Sequence, residues 1–148
     1  MRRIGITGGI GSGKSVVSRL LRIMGYSVYD TDSEAKRLME SSLEVVQKLS
    51  ECFGRDIYHN GRLNRGLLSS RVFGKSDKIV LLNSIVHPVV RFDFYRWSES
   101  LNEEICFVES AILYESRFDE LVDEVWTVTA PEELRISRVR QRSGLRKR

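Results

Sequence analysis

The sequence predicts an α/β fold in which a parallel sheet is flanked by helices on both faces. Two observations support this prediction. Short apolar strand patterns alternate with amphipathic helix patterns along the chain, which is the order found in doubly wound sheets. At the start of the chain, strand, helix and strand follow with short connections, so these two strands should run parallel. The strand patterns cover residues 4–7, 26–29, 105–108 and 124–129.

The first two helices are placed by their apolar spacing and by the glycines that follow them. Residues 14–24 carry apolar side chains at i, i+3, i+4 and i+7, and Gly25 supplies the helix stop. Residues 33–53 have a helical pattern throughout, and Gly54 ends it. We therefore expect a single helix over residues 33–53.

The sequence pattern in the middle of the chain predicts several helices with no long strand between them. After a turn-rich segment, Asn64 and Ser76 can each cap a helix. Pro88 is expected to begin another helix, because proline suits the first helical position, where no intrahelical amide bond is lost. The predicted organisation is one domain in three parts: a core of residues 1–54 and 104–131, a helical insertion of residues 55–103, and a terminal segment of residues 132–148.

Composition and cysteine usage limit the class of protein. The chain has 148 residues, 41% of them hydrophobic and 30% charged, which is typical of one globular domain. No apolar run approaches the roughly 18 residues that span a bilayer, and the first residues do not form a secretory signal pattern. Cys52 and Cys106 form no CxxC pair and are expected to be buried thiols. We expect a cytoplasmic protein with no membrane partner.

The net charge of +4 is distributed unevenly. Residues 131–148 contain seven basic side chains and two acidic ones, so the basic character belongs to this end of the chain. A general nucleic-acid surface would spread its charge over a folded face. We therefore expect no nucleic-acid partner. The sequence leaves open a monomer or a small homo-oligomer.

A glycine-rich motif follows the first strand. Residues 8–15 satisfy G-x-x-x-x-G-K-[ST], with a strand before and a helix after, as in the phosphate-binding P-loop. Glycines let backbone amides surround a phosphate, and the helix start favours the same anion. Lys14 is expected to reach the β- and γ-phosphates of ATP, and the Ser15 hydroxyl to ligate Mg²⁺. The nucleotide-binding residues are expected to be Gly9, Ile10, Gly11, Ser12, Gly13, Lys14, Ser15 and Val16.

Two carboxylates, Asp30 and Asp32, follow the second strand pattern. Ligands of open parallel sheets bind beyond the carboxyl ends of the strands, so both are expected near the P-loop. If the backbone is still extended there, their side chains point to the same side. One of them, with Asp32 favoured, is expected to take a proton from an attacking hydroxyl or to order the waters of Mg²⁺. The alternative is that they cap a helix beginning near Ser33.

Further polar residues follow the later strands. Glu109 ends the third strand and could contact Mg²⁺ through water or place a substrate, and a loop carboxylate is an equal alternative. Arg135, Arg138 and Arg142 occupy one face of a predicted helix. A solvated face is the alternative for these arginines. We favour a role for Arg138 and Arg142 in neutralising a transferring phosphoryl group.

The motifs taken together resemble the dephospho-coenzyme A kinase family along the whole chain. The opening GITGGIGSGKS looks like the start of that family, and Arg138 and Arg142 fall in its "QxxRxxxR" pattern. His87 and Pro88 match its "HP" signature. The other similar segments are DTD at residues 30–32, NGRLNR at residues 60–65 and ESAILYE at residues 109–115.

This resemblance implies a P-loop kinase that uses ATP and Mg²⁺. It implies transfer of the γ-phosphoryl group to the ribose 3′-hydroxyl of dephospho-coenzyme A, the last step of coenzyme A synthesis. The helical insertion would bind the acceptor, and residues 132–148 would form part of a lid. The implied catalytic residues are Lys14, Asp32, Arg138 and Arg142, and the implied substrate-binding residues are Asp30, Arg65, His87 and Glu109.

The chain departs from the family pattern at three positions: Asn64 replaces an aspartate, Ala111 a proline and Arg135 a glutamine. Family members also continue beyond the position of Arg148, so only part of a lid is expected here. Two other functions remain open at this point. One is a small-molecule kinase similar to the nucleoside monophosphate kinases, and the other is an ATP-binding module with impaired catalysis.

Overall fold

The structure is a computed structural model that describes residues 1–142, without the side chains of Arg135 and Arg142. It contains two compact units, one formed by Met1–Asp30 and Arg96–Arg148 and the other by Thr31–Tyr95. In chain order the elements are β1 (Arg2–Thr7), α1 (Lys14–Ile23), β2 (Ser27–Asp30), α2 (Thr31–Ser41), α3 (Leu43–Phe53), β3 (Tyr58–His59), β4 (Arg62–Leu63), α4 (Arg65–Val72), α5 (Ser76–Ser100), β5 (Ile105–Glu109), β6 (Glu124–Thr127) and α6 (Glu132–Arg142).

The first unit is built on a four-stranded parallel sheet. Its strand order is β2-β5-β1-β6, and every neighbouring pair is parallel. β5 lies between β2 and β1 and is buried over most of its length, as its continuous apolar run predicts. The α/β prediction and the parallel arrangement are therefore confirmed. The carboxyl ends of all four strands lie at the same edge of the sheet.

An apolar cluster holds α1 against this sheet. Ile4 and Ile6 of β1 pack with Leu21 of α1 and Phe107 of β5. Gly5 lies between the two isoleucines in sequence, and a Cβ atom there would stand 2.6 Å from Leu113 Cδ1. A side chain at position 5 would therefore displace Leu113, which is fully buried. This packing fixes the segment that leads from β1 into α1.

The second unit differs from the sequence prediction in its first helices. The single helix expected over residues 33–53 is two helices, α2 and α3, separated at Ser42. Ser42 has an extended backbone, and its hydroxyl accepts a hydrogen bond from the Val45 amide at 3.4 Å. Serine competes well for this capping position, so the apolar periodicity continues across a break in the helix. α2 also begins at Thr31, two residues earlier than expected.

The region around Pro88 also differs from the prediction. α5 is one helix of 25 residues that contains Pro88, and no new helix begins there. His87 accordingly lies inside a helix. Pro88 is exposed. Water can therefore satisfy the Ser84 carbonyl that has no amide partner at position 88, which explains why the helix continues.

The turn-rich segment contains a hairpin of β3 and β4, with Asn60 and Gly61 at φ 52° and 77° in its turn. Asn64 caps α4 as predicted, accepting a hydrogen bond from the Leu67 amide at 3.0 Å.

Cys106 is buried, but Cys52 is exposed, contrary to expectation. Among the helices of residues 1–142, none combines the length and apolarity needed to cross a membrane.

Candidate functional site

The loop between β1 and α1 has the backbone conformation that its glycines predict. Gly11 and Gly13 have φ values of 75° and 99°, which side-chain-bearing residues rarely adopt. The Ser12 amide donates to the Gly9 carbonyl at 3.1 Å, and the Val16 amide donates to the Gly13 carbonyl at 3.0 Å. The amides of Lys14 and Ser15 lie in the first turn of α1, where no intrahelical acceptor exists. They are therefore suited to bind an anion.

The start of the loop has space for glycine alone. A Cβ atom on Gly8 would lie 2.5 Å from both Ser12 Oγ and the Val128 carbonyl oxygen. The Ser12 hydroxyl is buried and has no hydrogen-bond partner among the described residues. An unsatisfied buried hydroxyl beside backbone amides fits a loop that completes its hydrogen bonds with a bound phosphate. The residues present thus fit the triphosphate that the motif predicts.

A cavity of about 320 Å³ adjoins this loop. It is lined by consecutive loop residues from Gly11 to Val16, which include Lys14 and Ser15. Residues from two helices complete the lining, and sequence reasoning missed two of them: Arg19 of α1 and Gln141 of α6. The available signal for Arg19 was its position four residues after Ser15, which puts both on one side of α1.

Arg138 connects α6 to the loop. Its Nη1 atom donates a hydrogen bond to the Gly11 carbonyl oxygen at 3.1 Å, and Arg138 also lines the cavity. This places a guanidinium group beside the predicted phosphate site. Arg142 was grouped with Arg138 from the sequence, but its side chain and that of Arg135 lie outside the described part of the structure.

Asp30 and Glu109 are brought together at the edge of the sheet where the loop begins. Asp30 ends β2, Glu109 ends β5, and the two residues are paired in the strand register. Glu109 is also paired with Ile6 of β1, the residue that precedes Thr7 and the loop. Glu109 is buried. The register therefore places Asp30 and Glu109 at the carboxyl ends of neighbouring strands. That Asp30 and Asp32 both lie near the P-loop stays a prediction.

Asp32 does not share an extended backbone with Asp30. It lies in the first turn of α2, which begins at Thr31. The extended backbone that would point residues 30 and 32 to the same side is therefore absent, because the chain turns into a helix immediately after β2 ends. A carboxylate in the first turn of a helix is favoured by the positive end of the helix dipole. Asp32 belongs to the second unit.

The side chain of Arg65, the first residue of α4, contacts α2 within the second unit. Its Nη2 atom donates to the Lys36 carbonyl at 3.4 Å, and its Nη1 atom lies 3.9 Å from Glu40 Oε1. Glu40 also accepts from the Leu63 amide at 3.3 Å.

Glu40 also affects Tyr58 of the hairpin. Burial and the Glu40 carboxylate raise the pKa of Tyr58 to about 12. Sequence reasoning missed Glu40, since nothing in its local pattern shows that the hairpin returns to α2.

His87 lies half-buried in α5. Burial lowers the pKa of its imidazole from the ordinary 6.5, and the nearby Arg91 guanidinium lowers it further. Both effects favour the neutral ring. A neutral imidazole can donate one hydrogen bond and accept another. The substrate-binding roles expected for Arg65 and His87 stay predictions.

No group of three or more His, Cys, Asp or Glu side chains able to hold a metal occurs within the described residues. At a nucleotide site, Mg²⁺ can be held by few protein ligands, with phosphate oxygens and water as the others. The Ser15 hydroxyl, which lines the cavity at the start of α1, fits that role.

These features define a P-loop nucleotide-binding protein of the α/β class. The sequence model described as dephospho-CoA kinase matches residues 2–148. A dephospho-CoA kinase from Porphyromonas gingivalis is 47% identical over 144 residues, which cover 97% of this chain and 71% of the relative. The chain belongs to the dephospho-CoA kinase family.

Two solved structures have a similar fold. The crystal structure of TT1252 from Thermus thermophilus has a TM-score of 0.81 and 37% identity, and the match covers 98% of this chain and 74% of that one. A dephospho-CoA kinase from Campylobacter jejuni has a TM-score of 0.71 and 23% identity, with 99% of this chain and 75% of that one covered. The latter likeness concerns the fold alone, and it confirms the P-loop kinase fold predicted from the sequence.

Proposed function

We propose that this chain transfers the γ-phosphoryl group of ATP to the ribose 3′-hydroxyl of dephospho-coenzyme A. The observation that carries the proposal is the cavity at the P-loop, where Lys14, Ser15 and Arg138 meet in a member of this family. The proposal places the reaction in the cytoplasm, at the last step of coenzyme A synthesis.

On the donor side, each residue has a separate task. The loop amides hold the phosphates, and Lys14 neutralises charge on the β- and γ-phosphates. Bound Mg²⁺, held by Ser15 and phosphate oxygens, would neutralise charge on the same groups. Arg138 is hydrogen-bonded to the loop and lines the cavity, which supports its proposed contact with the transferring phosphoryl group. Arg142 is proposed to assist it.

On the acceptor side, Asp32 is proposed to orient the ribose 3′-hydroxyl and accept its proton. Arg65 and His87 are proposed to bind the acceptor, with Asp30 and Glu109 placing it from the strand ends. Phosphoryl transfer needs little covalent chemistry from the protein, so positioning and charge neutralisation should account for most of the rate.

The test is a coupled assay of ADP release with dephospho-coenzyme A, AMP, CMP and shikimate as separate acceptors. We expect turnover with dephospho-coenzyme A and little with the others. Lys14→Ala should reduce turnover by about 10²–10³-fold, the usual effect of removing one preorganised charge-stabilising group. A preference for any other acceptor would contradict the proposal. Binding of ATP without phosphoryl transfer would instead support an ATP-binding module.

A further inference from the structure

We propose that Arg19 binds the α-phosphate of the donor nucleotide, so that the phosphate site extends along α1 beyond the P-loop motif. The inference rests on the proposed function, because it takes the donor to be a nucleoside triphosphate. It adds a residue that lies outside the P-loop motif and outside the arginine pattern of α6.

The position of Arg19 on α1 supports this role. Arg19 lines the cavity at the P-loop and follows Val16 by three residues and Ser15 by four, so all three lie on neighbouring positions of one helix surface. Helical side chains lean toward the N-terminus of their helix. A long arginine at this position therefore extends back toward the loop rather than away from it.

The charges around the cavity point to an anionic ligand. Among the described lining residues there are three cations, Lys14, Arg19 and Arg138, and no carboxylate. Arg138 is hydrogen-bonded to the Gly11 carbonyl. Arg19 has no hydrogen bond or ion pair within residues 1–142, as far as their side chains are described. Its guanidinium donors therefore remain available to a ligand.

The neighbouring Arg22 shows that this is not a general property of α1. Arg22 is also exposed, but its Nη2 atom donates to the Val28 carbonyl at 3.2 Å, and it does not line the cavity. The two arginines thus have the same charge, the same helix and similar exposure, but different surroundings. Arg22 provides a matched control for Arg19.

The order of the groups along the loop selects the α-phosphate. In P-loops the lysine reaches the β- and γ-phosphates, while backbone amides hold the α- and β-phosphates. Arg19 lies more than one helical turn beyond Lys14, so it cannot duplicate the lysine contact without crossing Ser15 and Val16. A guanidinium group matches the paired oxygens of a phosphate and can bind them with two parallel hydrogen bonds.

The experiment measures equilibrium binding of ATP, ADP, GTP and inorganic pyrophosphate by titration calorimetry, without acceptor. The proteins are the unmodified chain, Arg19→Ala, Arg19→Lys and Arg22→Ala, with circular dichroism to confirm folding. Arg19→Ala should weaken the binding of ATP, ADP and GTP by the same factor. The expected factor is about 10- to 100-fold, as for the loss of a charged hydrogen-bond pair. Pyrophosphate lacks a nucleoside-linked phosphate, so it should bind to Arg19→Ala as tightly as to the unmodified chain. Arg19→Lys should recover part of the loss, and Arg22→Ala should bind like the unmodified chain.

Three results would overturn the inference. Unchanged ATP affinity in Arg19→Ala would make Arg19 a solvated surface residue. A larger loss of affinity for ATP than for GTP would place Arg19 against the nucleobase. An equal loss for pyrophosphate would show a general electrostatic effect. The acceptor assay is run separately on the unmodified chain, so ATP binding without transfer would reject the proposed function while leaving the Arg19 comparison intact.

Discussion

The two units of the chain hold their candidate site residues in different ways. In the first unit the residues predicted to bind the nucleotide are consecutive, and their arrangement follows from glycine conformations and the start of α1. In the second unit Asp32, Arg65 and His87 come from three separate helices. A site made from one continuous segment can be predicted from local chemistry. A site made from several elements depends on where each element begins, ends and packs.

The largest expected effect concerns Asp32, which lies in the first turn of α2. Asp32→Asn keeps the size of the side chain but removes its basicity. We expect kcat to fall by about 10²–10⁴-fold, the range for losing a general base. ATP affinity should change little, because the loop, Lys14 and Arg138 are untouched. Steady-state kinetics with dephospho-coenzyme A and a separate ATP titration measure the two quantities.

Asp30→Asn is the matched control, because it removes the same charge two residues earlier and at the end of a strand. We expect a smaller loss of kcat than for Asp32→Asn. If Asp32→Asn retained near-normal turnover, the role of base would pass to Asp30 or Glu109. The catalytic centre would then lie with the strand ends of the first unit.

The same comparison explains which parts of the fold could be predicted. The strands, the P-loop and the Asn64 cap depend on local patterns, and the structure agrees with them. The break at Ser42 and the continuity through Pro88 were mispredicted, since an apolar stripe can cross a cap and a proline on a solvent side can remain in a helix. The Glu40 contacts depend on tertiary packing and leave no local signal.

Alanine substitutions at two glycines, one in each unit, compare how tightly the chain is packed at those two positions. The quantity compared is the free energy of unfolding. In the first unit, Gly8→Ala forces a Cβ atom to 2.5 Å from Ser12 Oγ and from the Val128 carbonyl oxygen. Overpacking of this kind should destabilise the fold by about 1–3 kcal/mol and weaken ATP binding. In the second unit, Gly66 lies in α4, where a Cβ atom meets only Asn64 Oδ1 at 3.6 Å. Gly66→Ala should stabilise the protein by up to about 1 kcal/mol.

Urea unfolding with and without ATP measures both variants. Equal stability of Gly8→Ala and the unmodified chain would mean that the loop can move away from Val128, and the tight closure inferred for it would be wrong. Destabilisation by Gly66→Ala would show that the start of α4 is constrained by more than its helical conformation.

The smallest expected effect is a pH dependence that arises in the second unit at His87. Its folded pKa lies below the ordinary 6.5 because of burial and Arg91. As pH falls below about 6.5, the unfolded chain therefore takes up a proton that the folded chain still resists. The His87 contribution to stability is complete above pH 6.5 and decreases between pH 6.5 and the lower folded pKa. Urea midpoints at pH 7.5 and 5.5 should differ less in His87→Gln than in the unmodified chain. An identical pH difference in both proteins would assign the effect to other groups, and His87 would then be solvated well enough to titrate normally.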